Sequence, residues 1–353
     1  MGEENVSLVW IYLKIVNILA IVLTIYDKQA ARTGRRRVKE RVLMLAAISG
    51  GAVAMGVTMF LIRHKTRKTK FVAGISVIVA FQLFFLVFGL NQSLAVSYFT
   101  LESDKIDGRI GLMLVTDLHS CDYGAGQEEL LNIIYAENPD LILLAGDIFD
   151  DELPPDNTIE FLQGIAGKYP SYFVSGNHEF WSGKIDELKD ILTANNVKVL
   201  AGTTEIAEIR GNVISISGLD DPVTDCYNNN SPSYLDQLGN LGKTVDHDKF
   251  TLLMSHRPER VEEFLLLGFD LIVAGHAHGG QWRLPFILEN GLLAPNQGLF
   301  PQYTNGAYSL GETVLIVSRG LARESTAIPR LFNRPELVMI SLQAESGLEV
   351  ISD

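Results

Sequence analysis

The 353-residue chain carries 29 Lys and Arg against 42 Asp and Glu, and its two cysteines, Cys121 and Cys226, are too few for a disulfide framework. The charge is split: residues 1–100 hold 13 basic and 4 acidic side chains, a balance of +9, and the rest holds 16 against 38, a balance of −22. So acidic a second part is expected to repel nucleic acid, whose binding rests on Lys and Arg neutralising phosphates. A phosphate-bearing substrate stays possible if metal ions supply positive charge locally.

Three apolar runs come first, over residues 6–26, 42–62 and 71–90. Each is about long enough to cross a hydrocarbon core of ~30 Å, which predicts a helical membrane domain over residues 1–95 and a multi-pass cell-membrane location. Both connecting loops are basic: Arg32, Arg35, Arg36, Arg37, Lys39 and Arg41 in the first, Arg63, Lys65, Arg67, Lys68 and Lys70 in the second. The positive-inside rule asks for both on the cytoplasmic face, which three plain spans cannot provide. A re-entrant hairpin in the second run, which carries Gly50, Gly51 and Gly56, resolves the conflict. It also places the chain after residue ~95 outside the cytoplasm. Asp27-Lys28, Gly50-Gly51 and the Arg63-His64-Lys65-Thr66 run ending near Phe71 resemble a small bacterial inner-membrane domain family of unknown function. That resemblance implies a membrane location and no known chemistry.

From Arg109 the pattern changes to short apolar runs that read as buried strands. Ile110–Val115 leads into Asp117 and His119, Leu141–Ala145 into Asp147, Tyr172–Val174 into Asn177 and His178, Thr251–Met254 into His256, and Leu271–Ala274 into His276 and His278. Helices are expected over Gln127–Glu137 and Lys184–Ala194, giving an α/β fold with an inner sheet. Ligands beyond the carboxyl ends of such strands share one edge. Of the seven histidines, five sit in these loops, and only His64 and His247 lie elsewhere. Imidazole and carboxylate suit Mn, Fe or Zn, and a shared carboxylate such as Asp147 can bridge two ions. Gly146, Gly176 and Gly275 are expected to let the backbone turn sharply before the ligands. His-x-His on an extended segment is expected to place His276 and His278 on one side.

The set Asp117-x-His119, Gly146-Asp147, Gly176-Asn177-His178-Glu179, His256 and Gly275-His276-x-His278 resembles the calcineurin-like metallophosphoesterase superfamily over residues ~105 to 345. Gly279-Gly280-Gln281, Val317-Ser318-Arg319-Gly320 and Asn333-Arg334-Pro335-Glu336 are similar to its membrane-anchored bacterial branch. The resemblance implies a four-layer αββα sandwich over residues 105–353, two sheets face to face with helices outside. It implies two divalent metal ions: Asp117, His119 and His278 at the first, Asn177, His256 and His276 at the second, and Asp147 bridging both. His178 would donate a proton to the leaving oxygen or steady the phosphoryl charge, with Glu179 standing where the family more often has Asp and Ala277 where the branch often has Thr.

The expected reaction is hydrolysis of a phosphodiester or phosphomonoester by a metal-bound hydroxide, with no covalent phosphoenzyme. The substrate is expected near the bilayer, as a lipid or cell-envelope precursor. A non-catalytic membrane protein with a structural or sensory metal site is the alternative. Substrate-binding residues stay open: Arg283, Arg319 and Arg323 are candidates for a phosphate, with surface ion pairs as the rival role. Trp282, Phe300, Tyr303 and Tyr308, in or beside the loop-like stretch 291–308, would line a pocket, touch the bilayer or simply pack.

Overall fold

The computed structural model describes residues 2–227, 231–323 and 329–345; the last residues of the expected catalytic domain, 346–353, lie outside these. The chain divides into two compact units, Met1–Asn91 and Gln92–Asp353.

The first unit is helical: α1 (Gly2–Thr33), α2 (Glu40–Ala46), α3 (Ala52–Leu61) and α4 (Thr69–Phe84). Among the described residues two helical runs, Glu40–Leu61 and Thr69–Gly89, are long and apolar enough to cross a membrane by length and composition. The first does not continue as one rod. A 22-residue rod would hold its ends ~30 Å apart at 1.5 Å per residue. Yet the Asp27 carboxylate accepts from Val38 N–H (3.1 Å), two residues before α2, and also meets His64 Nε2 (2.8 Å), just past α3. The run therefore doubles back, and Gly50 makes the turn with φ +116°, a conformation open to glycine. A turn inside an apolar unit strands backbone carbonyls, which need donors. Gln82 donates to the carbonyls of Ala47 (2.8 Å) and Ile48 (3.3 Å), Tyr12 to Ser49 (2.9 Å) and Asn17 to Gly50 (3.4 Å). The polar residues that interrupt the apolar runs thus cap the hairpin. At its base Arg37, His64 and Lys65 surround Asp27, and Lys68 pairs with Glu40 at 2.7 Å, so both basic loops lie together.

The second unit holds two six-stranded sheets. In chain order its elements are β1 (Ala95–Ser103), β2 (Arg109–Val115), α5 (Glu128–Glu137), β3 (Leu141–Ala145), α6 (Asp156–Ile165), β4 (Ser171–Val174), α7 (Asn177–Trp181), α8 (Ile185–Ala194), β5 (Val197–Val199), β6 (Thr203–Ile209), β7 (Asn212–Gly218), α9 (Tyr234–Thr244), β8 (Phe250–Met254), α10 (Val261–Leu265), β9 (Leu271–Ala274), the short pair β10 (Leu293–Ala294) and β11 (Gly298–Leu299), β12 (Gly306–Leu310), β13 (Thr313–Val317) and β14 (Glu336–Ala344). One sheet runs β1-β14-β2-β3-β4-β5 and the other β12-β13-β9-β8-β7-β6. β2 to β5 are mutually parallel, as are β7, β8, β9 and β13, which is why β3 is apolar throughout, β8 is apolar but for Thr251, and both are wholly buried.

Three apolar clusters define the layers. Leu112, Leu143, Ile214, Leu252, Val273 and Ile340 pack between the sheets. Leu130, Ile134, Phe161 and Leu192 bring α5, α6 and α8 onto the outer face of the first sheet. Leu241 and Phe264 bring α9 and α10 onto the second. This is the αββα sandwich. The unit opens earlier than the expected residue 105, because β1 pairs in parallel with β14 from Ala95↔Glu336 to Ser103↔Ala344.

Candidate metal centre

The carboxyl ends of β2, β3, β4, β8 and β9 converge, and the loops that leave them interlock. Asp117 N–H donates to Gly146 O and His119 N–H to Asp147 O, both at 3.0 Å, while His276 N–H donates to Asp117 Oδ1 at 2.9 Å. Five of the side chains delivered here stand on left-handed backbone: Asp117 (φ 51°), His119 (49°), Asp147 (52°), His276 (64°) and His278 (45°). Non-glycine residues there are strained, and such strain gathers at functional sites. His276 and His278 are therefore not on an extended segment, and the period-two reading of His-x-His is corrected. Gly146 needs its φ of +87°; at Gly176 the reason is space, since a Cβ would come within 2.2 Å of Asp147 Oδ1. Gly275 is a matter of space too, with Asp117 Oδ2 at 2.5 Å from a Cβ there.

Among the described residues four groups of side chains are able to hold a cation, with the ligand atoms inside each within 4.8 Å of one another: Asp117, His119 and His278; Asp147, His256 and His276; His119, Asp147 and His178; and Asp150, Asp151 and His178. Asp147 Oδ2 lies 2.9 Å from His256 Nε2 in the second group and 3.7 Å from His119 Nε2 in the first. Second-neighbour bonds hold one ring nitrogen on several histidines and turn the other toward the donor groups. His119 Nδ1 donates to Asp150 Oδ2 (3.0 Å), His256 Nδ1 to Ala145 O (2.9 Å) and His276 Nε2 to Asn296 Oδ1 (3.0 Å). Asp117 Oδ2, His119 Nε2, Asn177 Oδ1 and His278 Nδ1 are buried without a hydrogen-bond partner. Buried polar atoms are normally satisfied, so four orphans around one point fit a pair of divalent ions.

The electrostatics divide the set. Burial pushes the Asp147 carboxyl up, but the His256, His119 and His178 imidazoles outweigh it and hold the group well below the usual carboxylate range. Burial opposes charge on His256, yet Asp147 and Asp117 push it up to about 10. Burial keeps His276 and His278 low, hence neutral and ready to ligate, and burial also raises Asp117.

His178 Nδ1 meets Asp151 Oδ1 at 2.5 Å, its ring stands edge-on to His119 (4.3 Å between centroids), and its backbone N–H donates to Asp147 Oδ1 at 2.9 Å. Glu179 does not orient it. That buried carboxylate accepts from the N–H groups of Asp147, Ile148, Phe149 and Gly176, at 2.7–3.0 Å, and so holds the Asp147 loop. Burial, then Asp147, push its carboxyl up to about 7.

Sequence reasoning missed Asp150, Asp151, Asn296 and Arg330. The first two follow Asp147 by three and four residues, a carboxylate run that could have flagged them. Arg330 carried no local signal: it is fully buried, and none of its three side-chain nitrogens has a hydrogen-bond partner. Among the named arginines, Arg319 pairs with Glu336, and Arg323 pairs with Glu129 (2.9 Å) and covers the Tyr123 ring. Arg283 Nη1 is buried and unpaired.

Residues 111–280 match the calcineurin-like phosphoesterase family. The second unit carries a calcineurin-like metallophosphoesterase domain. The chain is 27% identical over 280 residues to an uncharacterized metallophosphoesterase of Campylobacter jejuni, covering 76% of this chain and 69% of that protein. It is 29% identical over 240 residues to the uncharacterized metallophosphoesterase YkuE of Bacillus subtilis, covering 65% and 77%. Among solved structures it is similar to a 5'-nucleotidase precursor from Thermus thermophilus, with 17% identity, a TM-score of 0.43 and coverage of 67% of this chain; the chain spans about half (54%) of that protein. It is also similar to a dimetal phosphatase from Danio rerio, with 14% identity, a TM-score of 0.41 and coverage of 64% and 91%. Residues 17–71 match a family of unknown function, DUF1294.

Proposed function

We propose that the chain is a membrane-anchored, two-metal phosphoesterase whose metal ligands are Asp117, His119, Asp147, Asn177, His256, His276 and His278. The observation that carries this reading is Asp147, which stands between two buried donor groups with unpartnered atoms on both sides. Two divalent ions there, Mn, Fe or Zn, would supply Lewis-acid charge and an activated water. The protein's own groups do the rest. Asp151 orients His178, whose imidazole donates a proton to the leaving oxygen. Arg330 offers a buried, uncompensated cation to the phosphoryl oxygens. The left-handed ligand loops, locked by Glu179, keep the donors in place without reorganisation.

Anchoring is supported by the two apolar helical runs and by the hairpin geometry. With both basic loops on the cytoplasmic face and the hairpin returning to it, α4 carries the chain outward, so the catalytic domain lies outside the cytoplasm. A substrate near the bilayer, a lipid or cell-envelope phosphoester, fits that placement.

The test uses the full chain in detergent with aryl phosphodiesters and monoesters. Turnover that needs Mn, stops with chelator and is lost in Asp147→Asn supports the reading. A folded protein that binds metal and hydrolyses neither ester class favours the structural or sensory site instead.

A further inference from the structure

The segment that follows His278 does two things at once. It reaches the metal centre through Asn296, which accepts from His276 Nε2 and from Arg257, and it presents large apolar side chains outward. Phe286 is 95% exposed, Ile287 82%, Phe300 70% and Leu299 67%. Elsewhere on the catalytic unit the exposed Tyr98 and Ile206 stand on separate strands, and Leu235 and Leu266 share a cavity of about 430 Å³ whose wall also carries Asp225, Arg260 and Glu263. Here the four share one surface: Phe286, Ile287 and Phe300 line the same open cavity of about 470 Å³, and Leu299 adjoins Phe300. Backbone bonds hold the tips. Leu284 and Leu288 exchange N–H bonds at 3.3 and 2.8 Å, Phe300 N–H donates to Leu292 O, and Leu292 N–H to Gly280 O, two residues from His278. Tyr303 and Tyr308, by contrast, pack edge to face and take no part.

A clustered apolar patch on a catalytic rim marks an interaction site. Its shape and its neighbours choose the occupant. Phe286 leaves nearly its whole ring outside, a protruding tip that a fluid apolar phase covers without a matching socket. In the chain beside the patch, Arg283 keeps a buried, unpartnered Nη1 and donates its backbone N–H to Leu331 O, next to the buried and unpartnered Arg330; these cations complement an anionic headgroup, while Glu289 is the acidic side chain on the cavity wall. Five residues, 90–94, separate the last apolar helical run from β1, a tether of at most ~18 Å.

We infer that Phe286, Ile287, Leu299 and Phe300 form a lipid-docking surface that enters the headgroup–acyl boundary of a bilayer and presents lipid phosphoesters to the metal centre. The substrate part rests on the function proposed above; the docking part does not.

The experiment uses the full chain with Cys226→Ser, reconstituted in phosphatidylcholine–phosphatidylglycerol vesicles. Spin labels are placed at Phe286→Cys, Phe300→Cys and, as a control, Leu266→Cys. Docking predicts that labels at 286 and 300 see oxygen over a water-soluble nickel chelate about five-fold more than the label at 266 does. Equal nickel access at all three positions overturns it. So does label–label broadening at 286 without oxygen preference, which would mean a second copy covers the patch. In the second arm, Phe286→Asp with Ile287→Asp lowers the ratio of turnover on a diacylglycerol-linked phosphodiester to turnover on a soluble aryl phosphodiester by about ten-fold. An unchanged ratio overturns substrate delivery. An enzyme with no turnover on either ester fails the phosphoesterase reading, and the labels still decide docking.

Discussion

Glu179 shows how much one methylene can change a role. As the neighbour of His178 it invites the reading of an orienting carboxylate, but its longer side chain gathers four backbone N–H groups under the Asp147 loop. Glu179→Ala strands those donors in a buried place, where each unsatisfied group costs ~1–3 kcal/mol. We predict a loss of roughly 10 °C in the melting temperature of the catalytic unit, at ~2–4 °C per kcal/mol for a domain of this size. An unchanged transition by calorimetry would refute the assignment. His178→Ala should behave in the opposite way: turnover falls by ~10²–10⁴-fold while metal content and melting temperature hold, because its loss removes a proton donor and leaves the ligand groups intact. Parallel metal analysis and kinetics separate the two outcomes. The residues gathered at the candidate metal centre were legible because strand ends announce themselves as apolar runs followed by Asp, Asn or His. Asp151 and Arg330 were not, since their partners arise only when distant loops meet, and nothing in the local pattern marks an arginine as buried.

At the scale of elements, the parallel strands β2, β3, β4, β8 and β9 were readable from their apolar runs to within a residue at either end. β1, β6 and β12 were not: as outer strands, half exposed, they show mixed patterns, and β1 belongs to the sheet only because β14 returns beside it from over 230 residues away. The hairpin between α2 and α3 was inferable only through charge, since both flanking loops are basic. Its turn rests on Gly50. In a cysteine-free background, Lys39→Cys and Thr66→Cys should react with an impermeant reagent from one membrane face, and Glu102→Cys from the other. Labelling of Lys39→Cys and Thr66→Cys from opposite faces would mean a single crossing and would break the topology. Gly50→Val should disturb the turn, since a β-branched residue is strained at that φ; protease cleavage within 40–61 that is absent from the parent chain would report it.

The whole molecule joins a basic helical unit to an acidic catalytic one, and the switch in charge along the sequence falls close to the boundary between the two. The acidic unit concentrates buried carboxylates and imidazoles at one sheet edge, so bound cations should stabilise it by mass action. At metal concentrations ~100-fold above the dissociation constant the gain is about 2.7 kcal/mol, and chelation should lower the catalytic unit's transition by roughly 5–10 °C. A transition unmoved by chelator and by added Mn would mean that the ligand set holds no ion.

The most direct test of the account is the spin state of Mn bound to the full chain. Two Mn per chain with an exchange-coupled spectrum, and loss of coupling in Asp147→Asn, is the result expected of a centre in which one carboxylate joins two ions. A single ion per chain, or two uncoupled ions indifferent to Asp147, would contradict it.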